Sequence, residues 1–194
     1  MTAAPTYHRI IDLSVDELRD RLREAIQLYV SAMGYPPGTT DARAPMWLSH
    51  MLRPGWRCVG ALDPAGALMG IGYGYLGAGG QWWHEQVRQG LLETEGASAV
   101  RQWMSDYFEL TELHVLPEAQ GAGTGERLLR RLLSEARGSQ VLLSTPEGPS
   151  RAWRLYRRIG FTDVLRRYYF AGDPRPFAVL GRGLPLQQPG PAPL

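Results

Sequence analysis

The chain has 194 residues, 44% of them hydrophobic, which is enough for one sizeable core and forces no second domain. Its 21 basic and 19 acidic residues leave a formal charge of +2, too balanced for nucleic acid to be a bulk electrostatic partner. A single cysteine, Cys58, excludes an intramolecular disulfide and an all-cysteine metal site. With no apolar run of membrane-spanning length and no leader-like N-terminus, the expectation is a cytoplasmic protein without a membrane partner.

A short strand is expected near Tyr7 to Ile11. Ser14, with Glu17 three residues on, reads as a helix cap, and Leu18, Leu22, Ile26, Tyr29 and Val30 follow at helical spacing. Gly34-Tyr35-Pro36-Pro37-Gly38 ends that helix, and a second short one is expected around Ala44 to Met51. The four turn-formers Asp63-Pro64-Ala65-Gly66 separate two strand-like runs, Trp56 to Leu62 and Ala67 to Leu76, which predicts a hairpin. Cys58 lies in the first of them as a small core residue. Residues 77–106 read as an insertion: a glycine-rich spacer, then helices over Gln81 to Leu92 and Ser98 to Met104 carrying Trp82, Trp83 and Trp103. These tryptophans either cap an acceptor site as a lid or pack the insertion onto the core.

Next come an apolar strand, Leu110 to Leu116, and a helix from Glu126 to about Arg137. A buried strand follows at Gln140 to Thr145, then a helix from about Ser150 to Arg158. A final hairpin joins Phe161 to Phe170 with Phe177 to Leu180. The domain is expected to occupy 1–184, with a disordered proline-rich tail over 185–194. His8, His50, His84 and His114 are dispersed without metal-ligand spacing, so no metal is expected.

Between the strand ending at Leu116 and the helix starting at Glu126 stands Gln120-Gly121-Ala122-Gly123-Thr124-Gly125. A glycine-rich turn from strand to helix aims unpaired backbone N–H groups and the positive helix end at one point, and glycine admits φ > 0 and a close anion. A Rossmann fingerprint fails, because its last glycine would be Glu126 or Leu128. A P-loop fails, because the turn closes on Gly125-Glu126-Arg127. Gln-x-x-Gly-x-Gly resembles the pyrophosphate loop of the GNAT (GCN5-related) N-acetyltransferases. The preceding Glu112 to Gln120 is similar to that family's strand and turn, and Leu155-Tyr156-Arg157-Arg158-Ile159-Gly160-Phe161 to its Leu-Tyr-x-x-x-Gly-Phe element.

The resemblance implies an α/β GNAT fold, a mixed central sheet with splayed fourth and fifth strands flanked by helices. It implies acetyl-CoA as cosubstrate and direct transfer of the acetyl group to a primary amine in a ternary complex. Cofactor contacts would come from the amides of Leu113, His114 and Val115 and from Gln120, Gly121, Ala122, Gly123, Thr124 and Gly125. Arginines cluster at Arg127, Arg130 and Arg131 and again at Arg151, Arg154, Arg157 and Arg158; most read as solvated helix faces, and those near the loop stand where the 3′-phosphate of coenzyme A could meet them. Acceptors in the family range from small molecules to peptides, and C-terminal strand pairing makes homodimers in many members.

Freeing an amine of pKa ~10.4 of its proton at pH 7 costs roughly 4 to 5 kcal/mol, so a base is worth having. Glu109, eleven residues before Gln120, matches the position of the catalytic glutamate in histone-acetylating members. Glu112 and His114 are rivals expected on the opposite strand face, unless a bulge exchanges the faces. Tyr156 corresponds to the tyrosine that protonates the leaving thiolate in many members. Two features depart from the pattern. Pro149 replaces a frequent asparagine seven residues before the tyrosine, so a pantetheine hydrogen bond is either missing or supplied by Ser144 or Ser150, and Glu126 is expected to point away from the pyrophosphate. Longer-chain acyl transfer and a non-catalytic coenzyme A-binding role are the alternatives.

Overall fold

Asp63 shapes the first hairpin: its carboxylate accepts from the Ala67 N–H at 2.8 Å and its carbonyl from the Gly66 N–H at 3.1 Å. That turn joins strands β2 (Arg57–Leu62) and β3 (Leu68–Leu76), and β1 (Arg9–Leu13) pairs antiparallel to β2. The computed structural model describes residues 8–186, so Tyr7 and the expected tail from residue 187 lie outside the described residues. The sheet continues with β4 (Tyr107–Val115), β5 (Gln140–Pro146), β6 (Thr162–Tyr168) and β7 (Phe177–Gly183), in the spatial order β1-β2-β3-β4-β5-β7-β6. All neighbours are antiparallel except β4 and β5, which run parallel and pair only over Tyr107–Glu109 against Gln140–Leu142. Past Glu109 the two strands part, so the sheet carries the expected splay.

The Ser14 capping box forms as predicted: Ser14 Oγ accepts from the Glu17 N–H, and Glu17 accepts from the Ser14 N–H. The single expected helix is two, α1 (Val15–Asp20) and α2 (Leu22–Met33). They divide at Arg21, which has non-helical dihedrals and whose guanidinium bonds the Gly66 carbonyl on the β2–β3 turn at 3.0 Å. A tertiary bond thus interrupts an unbroken amphipathic pattern. The second helix is longer than expected, α3 (Thr39–His50), and carries Pro45 inside it. The insertion folds as α4 (Trp82–Thr94) and α5 (Ala97–Met104), and the remaining helices are α6 (Thr124–Leu133) and α7 (Arg151–Ile159).

Three apolar clusters fill the layers. On one sheet face, α1 to α3 cover the N-terminal half, with Ile26, Tyr29 and Trp47 in a cluster with Ile71, Tyr73 and Tyr75. On the same face, α4 and α5 cover the C-terminal half, with Val87 and Leu91 beside Tyr107, Leu142 and Val179. The opposite face belongs to α6 and α7, whose Leu128, Leu132 and Ile159 join Val59, Phe108 and Val141. The splay therefore opens beneath the seam between the two helical groups of the first face and against α6 and α7 on the other.

Candidate active site

Two halves of a site meet at the fork of β4 and β5. On the α6–α7 side, Gln120 follows a 3-10 turn (Pro117–Ala119), and its Nε2 donates to the Val115 carbonyl at 2.9 Å. The side chain ties the loop to a strand edge that β5 has left. Gly121 (φ +89°) and Gly123 (φ +76°) are both left-handed, a conformation that costs an L-residue about 1–2 kcal/mol. Gly123 is the N-cap of α6 and supplies no side-chain cap, so the N–H groups of Gly121 to Gly125 find no acceptor among the described residues. These donors and the positive helix end face a cleft of about 480 Å³, lined on its far wall by Arg151, Arg154, Leu155 and Tyr156 of α7. Arg151 and Arg154 make no ion pair among the described residues. Backbone donors, an unscreened helix end and two uncommitted guanidinium groups fit a pyrophosphate.

Glu126, in the first turn of α6, is among the residues that line this cleft. Its carboxylate is clamped by Arg130 at 2.9 Å and Arg158 at 2.7 Å, and those bonds hold its pKa below the usual carboxylate range. The pair of cations answers its charge. Arg127 is engaged with the His8 carbonyl, and His8 Nδ1 lies 3.1 Å from Thr124 Oγ1, so the segment before β1 braces the loop from outside. Ser144 and Ser150 also have partners: Ser144 accepts from the Trp83 indole at 3.1 Å, and Ser150 caps α7.

On the α1–α3 side the strand register decides the chemistry. Tyr75 pairs with Glu109, but Tyr73 pairs with Glu112 and Ile71 with His114, because a bulge between Leu110 and Glu112 adds one residue to β4. Glu109, Glu112 and His114 therefore share one face, rather than opposing ones as simple alternation would have it. Leu113 and Val115 point the other way, into the cofactor cleft. Backbone polarity follows the same parity. The Leu116 N–H donates to Met69 O, so in an antiparallel ladder His114 also turns its amide to β3, while Leu113 and Val115 turn theirs to the side that β5 vacates. Of the three expected amides, two face the gap.

Glu109 stands at the fork itself, on the last pair shared by β4 and β5. It is 4% exposed, its Oε1 accepts from the Tyr75 hydroxyl at 3.1 Å, and its Oε2 is buried without a hydrogen-bond partner. Burial raises its pKa to about 7, against the opposing pull of the Tyr75 hydrogen bond and the Arg53 charge. Neighbouring Tyr107 and Tyr73 are held by neutral imidazoles: His84 Nδ1 lies 3.0 Å from the Tyr107 hydroxyl and His50 Nδ1 3.0 Å from that of Tyr73. Burial, with Arg53 second, lowers His50 to about 4. Glu112 and His114 form a tight pair at 2.5 Å, with the Tyr29 ring 4.9 Å from the imidazole. Tyr156 lines the cleft from α7, beside Leu113 and Val115. Burial and the Glu112 charge raise its pKa, which keeps the phenol protonated, and its hydroxyl has no partner among the described residues.

In the insertion, Trp83 packs on Tyr107 and bonds Ser144, while Trp82 is 55% exposed. Arg53 and Tyr75 beside Glu109 are absent from the sequence reading. The alternation Gly70-Ile71-Gly72-Tyr73-Gly74-Tyr75 is the one sequence signal for an aromatic face beside Glu109, since it puts Ile71, Tyr73 and Tyr75 on one side of β3. No cluster of three or more metal-ligating side chains occurs among the described residues, and no helix there is long and apolar enough to cross a membrane.

A splayed β4–β5 pair with a glycine loop running into α6 defines a class, and comparison with known proteins agrees. The chain belongs to the GNAT acetyltransferases: the acetyltransferase (GNAT) domain family matches residues 79–163. It is 49% identical to the GCN5-like protein acetyltransferase Rv2170 of Mycobacterium tuberculosis, across 91% of this chain and 98% of that protein. Two solved structures share the fold. A putative GNAT acetyltransferase of Desulfovibrio desulfuricans has a TM-score of 0.62 at 17% identity, covering 90% of this chain and 99% of its own. A phosphinothricin acetyltransferase of Sinorhizobium meliloti, solved with acetyl-CoA, has a TM-score of 0.57 at 19% identity, covering 92% and 89%. The protein is an N-acetyltransferase.

Proposed function

We propose that this enzyme transfers acetyl from acetyl-CoA directly to a primary amine, with Glu109 as the base and Tyr156 as the acid. Acetyl-CoA supplies an activated thioester carbonyl. Gln120 to Gly125 bind the pyrophosphate, and the amides of Leu113 and Val115 turn toward the developing oxyanion, a kind of contact worth about 2 to 4 kcal/mol. Glu109 Oε2 takes the proton of the incoming ammonium, and the Tyr156 hydroxyl returns one to the departing sulfur. The Glu112–His114 pair lies on the same face of β4.

The observation that carries this reading is the buried Oε2 of Glu109, an acceptor with no partner at the fork of the splay. A carboxyl tuned to about 7 is matched to a base working near neutrality. Localisation in the cytoplasm, a homodimer and a lid role for residues 77–106 belong to the same reading. The first test is calorimetric titration with acetyl-CoA, comparing wild type with Gly123→Glu. A Cβ at this position meets nothing within 4 Å, so the substitution adds a carboxylate and backbone strain to the loop with open space at its root. Micromolar binding that the variant loses supports the loop as the pyrophosphate site, and amine acceptors are then screened by thiol release. Equal binding by both proteins overturns it.

A further inference from the structure

Beside the hydrogen-bonded groups at the fork stands a cation without a counterpart among the described residues. Arg53 leaves the end of α3 and lays its guanidinium over the Tyr75 ring, 4.4 Å from the centroid. The hydroxyl of that same ring donates to Glu109 Oε1. The side chain is half-buried, yet it makes no ion pair and no hydrogen bond among the described residues, although most arginines around the sheet are paired. Its charge bears on Glu109, His50, Tyr75 and Tyr107, so it stands within electrostatic reach of the Glu109 face of the sheet. Five donors in a fixed plane, stacked on an aromatic face, are a carboxylate receptor waiting for its ligand. A structural role for the stack leaves the donors idle, and a role in ionising Glu109 needs only the charge.

We infer that Arg53 is a specificity residue: it binds an anionic group, a carboxylate in the simplest case, carried by the acceptor a few bonds from the amine that reacts at Glu109. The preferred acceptor is then an amino carboxylate or a peptide whose N-terminus is followed closely by an acidic side chain, and simple alkyl and aryl amines are poor substrates. The inference rests on the acceptor amine lying at Glu109. It adds the other end of the acceptor, which the fold family leaves open.

The experiment compares matched acceptors: 4-aminobutyrate and tyrosine beside their carboxamides, and the tripeptide Ser-Asp-Ala beside Ser-Asn-Ala. Rates are referred to the free-amine form, since carboxamides are the weaker bases. A charge-assisted contact of this kind predicts kcat/KM higher by about tenfold or more for the acidic member. In Arg53→Gln the ratio falls to near one, whatever the absolute rates. In Arg43→Gln, which removes a second guanidinium stacked on a tyrosine (Tyr29, 5.6 Å), the ratio stays. Whichever pair shows the preference names the source of the carboxylate. No preference in any pair overturns the inference, as does a ratio that survives Arg53→Gln or collapses in Arg43→Gln. Calorimetry of the same compounds on enzyme saturated with CoA gives a readout without turnover. Discrimination in binding that Arg53→Gln abolishes, with no transfer to any amine, leaves the anion site standing and removes the transfer reading. Binding without discrimination removes the anion site.

Discussion

Glu109→Gln should make the enzyme slower and, above neutral pH, more stable relative to wild type than it is in acid. The carboxyl titrates at about 7 in the folded protein against an ordinary value of 4.5, because burial disfavours its charge. A folded pKa above the unfolded one means that the stabilising contribution is complete below about pH 4.5 and drains away as the pH rises through about 7. The loss amounts to about 3 kcal/mol. Glutamine cannot titrate, so it escapes that loss. Whatever fixed offset the amide introduces beside the Tyr75 hydroxyl is the same at every pH, and the difference between the two proteins should shift by the full amount between pH 4.5 and pH 8. In a domain of this size the shift corresponds to roughly 6–12 °C in relative melting temperature. The assay is a pair of melting curves across pH, read with thiol-release kinetics. In the kinetics, wild-type kcat/KM falls on the acid side of pH 7, and the variant loses about 10²- to 10⁴-fold at pH 8. A stability difference constant across that range would mean that Glu109 is ionised in the fold like a surface carboxylate, and the argument from burial would collapse.

Tyr156→Phe should lower kcat about ten- to a hundredfold while leaving acetyl-CoA affinity nearly unchanged, since the hydroxyl has no protein partner to lose; steady-state kinetics beside calorimetry separate the two effects. Glu126→Gln frees Arg130 and Arg158 next to the cleft, so acetyl-CoA should bind more tightly at low ionic strength, with the gain vanishing near 1 M salt, where screening acts within about 3 Å. Weaker binding in that variant would show that the carboxylate organises the arginines instead of competing with the ligand. Gly74→Ala puts a Cβ 2.1 Å from the Glu109 carbonyl oxygen, at the bulge itself, and backbone there cannot step aside as a side chain could. Urea unfolding should register a loss of at least about 3 kcal/mol.

The cofactor half of the site is legible in the sequence because it is local: one loop, the strand before it and the helix after it carry Gln120 to Gly125 within a few residues of one another. Glu109 stands out for a related reason, its spacing from Gln120 across one strand and the 3-10 turn after it. The acceptor half is not. The bulge that brings Glu109 onto the face of Glu112 and His114 depends on the pairing of β4 with β3, which alternation within β4 cannot reveal. Arg53 and Tyr75 reach Glu109 from chain segments 56 and 34 residues away, and no periodicity links them. The break at Arg21 is equally hidden, since the apolar spacing runs through it and the residue's tertiary partner is a carbonyl on a distant turn.

The position of β7 between β5 and β6 has a consequence for biosynthesis. The β5–α7–β6 connection skips one place in the sheet, and only the later Phe177–Gly183 segment fills it. Until the ribosome has released that segment, β5 offers an open edge and β6 has no strand to join, even though every residue assigned to the cofactor cleft is already made. The nascent chain therefore carries the glycine loop on an unfinished sheet. Chaperone protection of this half should be needed until about residue 183 has left the exit tunnel.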